Sequence, residues 1–205
     1  MTKICSLEEI VRCLREDGIG LYPTETFMAL GCRAGSAKAV AKLYEAKQRP
    51  RHLPLPLIAA DRTQVESIAR IPPQAEELMK RFWPGPLSIL LPISARTPAA
   101  LDSGGHLALR IPSHPGARDL AFAVGEALVA SSANISGKPP ARDAVSIDLA
   151  LLERVPVLWD APPRPAGRLP STLVRLSDGN RVKILRQGAV SMRALQEAGF
   201  AVEPA

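Results

Sequence analysis

The stretch Leu107-Ala-Leu-Arg-Ile-Pro-Ser-His-Pro-Gly-Ala-Arg-Asp-Leu-Ala-Phe-Ala-Val-Gly-Glu-Ala-Leu-Val-Ala-Ser-Ser-Ala-Asn-Ile-Ser-Gly137 carries the alternation on which the fold depends. Leu107 to Ile111 is an apolar run of strand length, the spacing over 115–125 predicts a helix, and Ala127 to Ala130 is a second apolar run. The second run passes directly into Ser131, Ser132, Asn134, Ser136 and Gly137, a dense array of short hydrogen-bonding residues. Ligands bind at strand ends in α/β sheets, and such an array can hold phosphate oxygens through hydroxyls and backbone N–H groups.

Working outward, the same alternation continues in both directions. Ser6 and Glu9 form a capping box for a helix over 7–17 closed by Gly18, and Ile19 to Tyr22 reads as a short strand stopped by Pro23. Ser36 caps a helix to about Lys47, Leu55 to Ala60 reads as a buried strand, Asp61 with Gln64 opens a helix, and Pro72-Pro73 opens another to Phe82. Leu87 to Leu91 is a further strand. Beyond the central stretch, a helix near 144–154 precedes a strand at Val155 to Trp159. Thr172 to Leu176 and Arg181 to Leu185 flank Ser-Asp-Gly-Asn as a hairpin, and Ser191 caps a last helix ending at Gly199. The pattern predicts an α/β domain on a mixed sheet, with one domain over 1–205. Residues 160–170 hold four prolines and Gly167, which predicts an exposed loop, either a lid or a connection.

Composition excludes several classes. With 46% apolar and 22% charged residues, the chain can bury a core and is not disordered. Its apolar runs fall far short of the ~20 residues of a membrane span. The N-terminus is acidic and lacks the apolar region of a signal peptide, so a cytoplasmic location is expected. Three cysteines without a C-x-x-C pair read as core thiols, and His52, His106 and His114 are too scattered for a metal cluster and are expected at the surface. The formal charge is +6, from 26 basic and 20 acidic residues, and 19 of the basic residues are arginine, so an anionic partner is expected. Only 4% of residues are aromatic, which argues against reading nucleic acid by base stacking.

The phosphate-loop, dinucleotide and zinc-protease motifs are all absent. Other segments carry the candidate chemistry. Tyr22-Pro-Thr-Glu-Thr26 places two hydroxyls and a carboxylate after a strand, able to hold an ammonium or hydroxyl group, or simply to cap a turn. Lys47 and Arg49 stand two positions apart before Pro50; in an extended chain both face one side and could clamp a polyphosphate, whereas at a helix end they could be merely solvated. Phe82-Trp-Pro-Gly-Pro86 is a rigid turn. Arg110 sits in an apolar strand and needs a partner or a ligand. Ser171-Thr172 and Arg186 add hydroxyls and a cation.

Taken in order, Tyr22-Pro-Thr, Lys47-x-Arg49, Trp83-Pro-Gly-Pro86, Arg110-x-Pro112, Ser132-Ala-Asn-Ile-Ser-Gly137, Ser171-Thr and Leu185-Arg186-x-Gly188 resemble the YrdC/TsaC family of L-threonylcarbamoyladenylate synthases, in its short, single-domain form. The resemblance implies a twisted, mixed open sheet flanked by helices around a large basic cavity. It implies the substrates ATP, L-threonine and bicarbonate, and a product passed to the tRNA threonylcarbamoyltransferase machinery for N6-threonylcarbamoyladenosine. By motif position, Lys47, Arg49, Ser132, Asn134 and Arg186 would bind ATP, and Thr24, Arg110 and Ser171 would bind threonine. Mg²⁺ would arrive with ATP rather than in a protein-built cage, and no single base or nucleophile is assignable. Leu53 stands where the family often has Lys or Asn, and Phe27-Met-Ala29 replaces the more usual Val-Tyr-Gly, which is similar to a divergent YciO-like branch. Two alternatives therefore stand beside the synthase: that paralogous branch, and a protein that binds double-stranded or structured RNA without catalysis.

Overall fold

The computed structural model describes residues 2–102 and 104–204. In chain order the elements are β1 (Lys3–Ile4), α1 (Leu7–Arg15), β2 (Gly20–Pro23), β3 (Met28–Arg33), α2 (Ala37–Lys47), β4 (Leu57–Ile58), α3 (Arg62–Ile68), α4 (Pro73–Phe82), β5 (Leu87–Pro92), β6 (His106–Arg110), α5 (Pro115–Val124), β7 (Leu128–Ser132), α6 (Leu149–Leu152), β8 (Val157–Leu158), β9 (Thr172–Leu176), β10 (Arg181–Arg186), α7 (Met192–Glu197) and β11 (Ala201–Glu203). The strands form one mixed sheet in the order β1-β8-β2-β3-β7-β4-β6-β5-β9-β10-β11. Parallel pairs (β4 with β6, β5 with β9) alternate with antiparallel ones (β3 with β7, β5 with β6, β9 with β10).

The two faces are covered unequally. One face packs into a large core with Leu21, Leu30, Val129, Leu109, Ile89, Val174 and Ile184, joined by apolar residues of α2, α3, α4 and α7. The opposite face packs against α1 and α5, through Ile10, Leu14, Leu120, Ala121 and Val124 against Tyr22, Ala29, Ile58, Leu128 and Ala130. Burying one Leu or Ile side chain stabilises by about 1.5–3 kcal/mol, so the sheet is held chiefly from the fully covered side.

Local signals place the elements. The capping box at α1 forms, with Ser6 Oγ accepting from Glu9 N–H at 3.3 Å and Glu9 Oε2 accepting from Ser6 N–H at 2.8 Å. Asp17 (φ 58°), not Gly18, takes the left-handed position after α1; Gly18 is needed because a Cβ there would lie 2.5 Å from the Cys13 carbonyl oxygen. The 160–170 segment has no regular structure, as expected.

Several expectations are corrected. The helix expected over 144–154 contracts to four residues, and the strand expected over 55–60 to two. β1, β3 and β11 are strands that the sequence reading missed. His114 is buried, not at the surface: its Nδ1 accepts from Ala117 N–H at 3.1 Å, capping α5, and its Nε2 lies 2.8 Å from the Pro163 carbonyl. Of the three cysteines, only Cys32 is fully buried, where burial and nearby Glu126 push its thiol up to about 12. Among the described residues no helix is long and apolar enough to cross a membrane, and no group of three His, Cys, Asp or Glu side chains converges.

Candidate functional site

Pleating and register bring distant motifs onto one face of the sheet. Ala29 lies opposite Ser132, Ile58 beside Arg110, and Leu173 beside Ser88 and opposite Arg186, and residues paired in this way point to the same face. That face is the one α1 and α5 cover only in part. Beyond the helices it forms the floor of a cavity of about 500 Å³, within the usual range for small-ligand sites.

Among the described residues the lining contains Thr24, Thr26, Ser131, Ser132 and Ser171, five arginines (Arg49, Arg110, Arg142, Arg168 and Arg186), and no Asp, Glu, His, Cys or Lys. A wall of this kind attracts anions and supplies hydroxyl donors, but no proton acceptor of useful strength. Thr24 is held by its own turn: its Oγ1 donates to the Phe27 carbonyl at 2.7 Å and lies 3.1 Å from Thr26 Oγ1. Arg110 is only 4% exposed, and its Nε donates to Glu25 Oε1 at 3.0 Å. Its two terminal nitrogens carry no protein hydrogen bond among the described residues. The strand arginine has therefore both the partner and the open donors that its position demanded.

Ser171 Oγ lies 3.0 Å from Ser88 Oγ, and Arg186 Nη2 donates to the Ser171 carbonyl at 2.9 Å. Partial desolvation, then the neighbouring Arg110, lower the Arg186 pKa. The glycine two positions on has a steric reason: a Cβ at Gly188 would lie 2.2 Å from the Pro170 carbonyl oxygen. Trp83 is structural, with Nε1 donating to the Leu87 carbonyl at 2.6 Å.

One expectation of exposure is corrected. Lys47 and Arg49 do not form an exposed clamp, because the helix runs through Lys47 and the chain then turns through left-handed Gln48 (φ 51°). Arg49 reaches the cavity, where its Nη2 donates to the Pro54 carbonyl at 2.9 Å and its buried Nε has no partner. Lys47 is 1% exposed and lies behind the wall, where Nζ donates to the Ser132 carbonyl, to the Asn134 carbonyl at 2.7 Å and to Asn134 Oδ1 at 3.4 Å. Burial, then Arg49, push its ammonium down to about 7. Asn134 is likewise committed to the turn: Oδ1 accepts from Ser132 Oγ, and Nδ2 donates to the carbonyls of Ile135 at 3.0 Å and Lys138 at 2.6 Å. Thus Ser132 lines the cavity, while Lys47 and Asn134 hold the turn that carries it. The carboxylate of Glu25, a candidate ammonium acceptor by sequence, is absent from the lining and is spent on Arg110.

Sequence reasoning missed Arg142 and Arg168, which sit on loops without periodicity. The 160–170 loop supplies Gly167, Arg168 and Pro170 to the wall. It is tied down by N–H groups of Ala166 and Gly167 donating to the carbonyls of Glu25 (3.1 Å) and Thr26 (2.8 Å). Of the two departures from the family pattern, Ala29 lines the cavity and Leu53 does not.

Comparison with known proteins places this arrangement. A threonylcarbamoyl-AMP synthase from Bacillus subtilis (strain 168) is 38% identical over 189 residues, covering 89% of this chain and 53% of that protein, so the chain spans about half the length of that relative. The crystal structure of Pyrococcus abyssi Sua5 complexed with L-threonine superposes with a TM-score of 0.88 at 30% identity, over 99% of this chain and 62% of that one. Escherichia coli YciO shares the fold, with a TM-score of 0.83 at 22% identity over 95% of this chain and 100% of its own. The Sua5/YciO/YrdC family model, described as "Telomere recombination", matches residues 12–188. With most of the chain matched by that model and nearly all of it superposed, the protein belongs to the Sua5/YciO/YrdC family.

Proposed function

We propose that this chain makes L-threonylcarbamoyladenylate and pyrophosphate from L-threonine, bicarbonate or CO2, and ATP, as the activated precursor of N6-threonylcarbamoyladenosine in tRNA. The observation that carries the reading is the lining: five arginines and a set of hydroxyls with no facing carboxylate, in a chain 38% identical to a protein named for this activity. The proposed reaction brings two anions together. The neutral threonine amine adds CO2 and passes its N–H proton to water, giving N-carboxythreonine; from bicarbonate the same product forms with net loss of water. One oxygen of the new carboxylate then bonds to the α-phosphorus of ATP, and the bond from that phosphorus to the bridging oxygen breaks, releasing pyrophosphate with the electron pair.

Such a step needs fixed positive charge and alignment more than a strong base, which fits a lining rich in arginine and without a titratable base. In this reading Arg110, with Thr24 and Ser171, receives the threonine carboxylate and hydroxyl. Arg49, Arg186 and Ser132 receive the phosphates. Lys47 and Asn134 act from behind the wall by fixing Ser132. The lining does not fit a protein-built Mg²⁺ site, so the metal is assigned to the ATP phosphates and to water.

In the structural superpositions the identity is 22% to YciO against 30% to P. abyssi Sua5, which favours the synthase branch over the paralogue. The test is pyrophosphate release by the purified chain with Mg²⁺, ATP, bicarbonate and threonine. Release that depends on threonine, with threonylcarbamoyl-AMP identified by mass, supports the reading. Equal release with and without threonine refutes it.

A further inference from the structure

Glu25 and Arg110 form a buried ion pair, with side chains 12% and 5% exposed. Only one oxygen of the carboxylate is used: Oε1 accepts from Arg110 Nε, while Oε2 is buried and has no partner. Leaving a carboxylate oxygen buried and unpaired carries a desolvation cost, so the placement asks for a reason beyond stability. Arg110 supplies one. Its Nε is held from behind, and its terminal nitrogens, in a side chain that lines the cavity, are left without a protein partner among the described residues. The backbone around Glu25 is pinned as well, by the Thr24 hydroxyl to the Phe27 carbonyl and by the Ala166 N–H to the Glu25 carbonyl. The pin also balances charge, since Arg186 lies close enough to Arg110 for the two cations to repel.

From this geometry we infer that Glu25 is a positioning residue, which fixes the guanidinium of Arg110 so that its two-nitrogen edge meets the carboxylate of an α-amino acid substrate. The inference rests on the assignment of threonine to this end of the cavity. A planar fork recognises a carboxylate through two parallel hydrogen bonds only in one orientation, and Glu25 sets that orientation. In this role Glu25 acts through Arg110 and lies outside the cavity lining.

The test separates reach from charge. Glu25→Gln keeps an oxygen at the length needed to accept from Nε; Glu25→Asp keeps the charge but withdraws it by one methylene. L-threonine and ATP binding are measured by calorimetry on the full chain, with the Arg110 Nε–H resonance followed by ¹⁵N NMR and folding checked by thermal melting. Positioning predicts that Glu25→Asp weakens threonine binding ~10-fold or more, with ATP binding within twofold and the Arg110 Nε–H signal moved or broadened. Glu25→Gln should recover most of the threonine affinity. Equal loss of both ligands, or unchanged threonine binding in Glu25→Asp, overturns the inference. If the parent binds no threonine, it is the proposed function that fails. The Nε–H signal then decides the inference alone: an unmoved resonance in Glu25→Asp overturns it, and a moved one supports it.

Discussion

Lys47 offers the sharpest test of the physical reasoning. It is 1% exposed, has no carboxylate partner among the described residues, and has its ammonium pushed down from 10.5 to about 7 by burial and by Arg49. The sign follows from proton counting. Between about 7 and 10.5 the unfolded chain carries a proton on Lys47 that the folded chain has shed, so stability rises with pH across that window and is flat below it. At ~1.4 kcal/mol per unit, the full window is worth roughly 5 kcal/mol, and the part between pH 7 and pH 9 roughly 2–3 kcal/mol. The three oxygens around Nζ match the three donors of an ammonium and push the other way, so these figures are an upper range.

The perturbation is Lys47→Met, which keeps the length of the side chain and removes the proton site. Urea unfolding of parent and variant at half-unit steps from pH 6 to pH 9 gives the difference in stability, in which the other titrating groups cancel. The parent should gain on the variant above pH 7. A difference constant to within 0.5 kcal/mol, roughly the scatter expected of such measurements, would refute the claim that desolvation controls this lysine and would give that role to the three acceptors.

Other outcomes follow from the same geometry. Arg49→Ala should slow ATP-dependent pyrophosphate release roughly 10- to 100-fold at subsaturating ATP, the loss of one charge-assisted contact of about 1.5–3 kcal/mol, while the melting temperature stays nearly unchanged; the reverse pattern would make Arg49 structural. Gly31→Ala should destabilise by about 3 kcal/mol in urea titrations, since a Cβ there would lie 2.2 Å from the Val129 carbonyl oxygen and 2.6 Å from the Tyr22 hydroxyl; a change under 1 kcal/mol would contradict the packing. Leu53→Lys should leave the apparent ATP affinity within about threefold, because Leu53 lies outside the lining; synthase activity gained by the variant and absent from the parent would instead assign the chain to the paralogous branch.

Much of the fold was legible because its signals are local. Ser6 with Glu9, Ser36, Asp61 and Ser191 each cap the helix that their sequence announces. The elements missed are those whose signal is not local. β3 is buried on both faces along nearly its whole length, so Met28-Ala-Leu-Gly-Cys shows no alternation to read. β1 and β11 are two and three residues long and exist through pairing with β8 and β10. The helix expected from residue 144 is replaced at its start by a turn, in which Asp143 Oδ1 accepts from Ser146 N–H at 2.8 Å and Ser146 Oγ from Arg142 N–H at 3.0 Å.

The candidate site divides on the same principle. Composition and motif order name the residues, but only the register decides which of them meet a ligand. Ser132, Arg110 and Arg186 share one face because β3, β7, β4, β6, β5, β9 and β10 are paired across the sheet, a relation that no short window of sequence contains. Lys47 and Asn134 belong to the same motifs but spend their polar atoms on backbone carbonyls and on each other. A residue whose donors are used internally should lose stability when truncated; one whose donors stay open should lose ligand affinity while the fold holds. By donor count Arg49 and Arg110 are alike, each with one protein partner among the described residues and open donors, and what separates them is that partner: a backbone carbonyl for Arg49, a buried carboxylate for Arg110. Truncating Arg110 would strand the Glu25 charge in the interior, so its effect on binding can be interpreted only beside a variant that also neutralises Glu25.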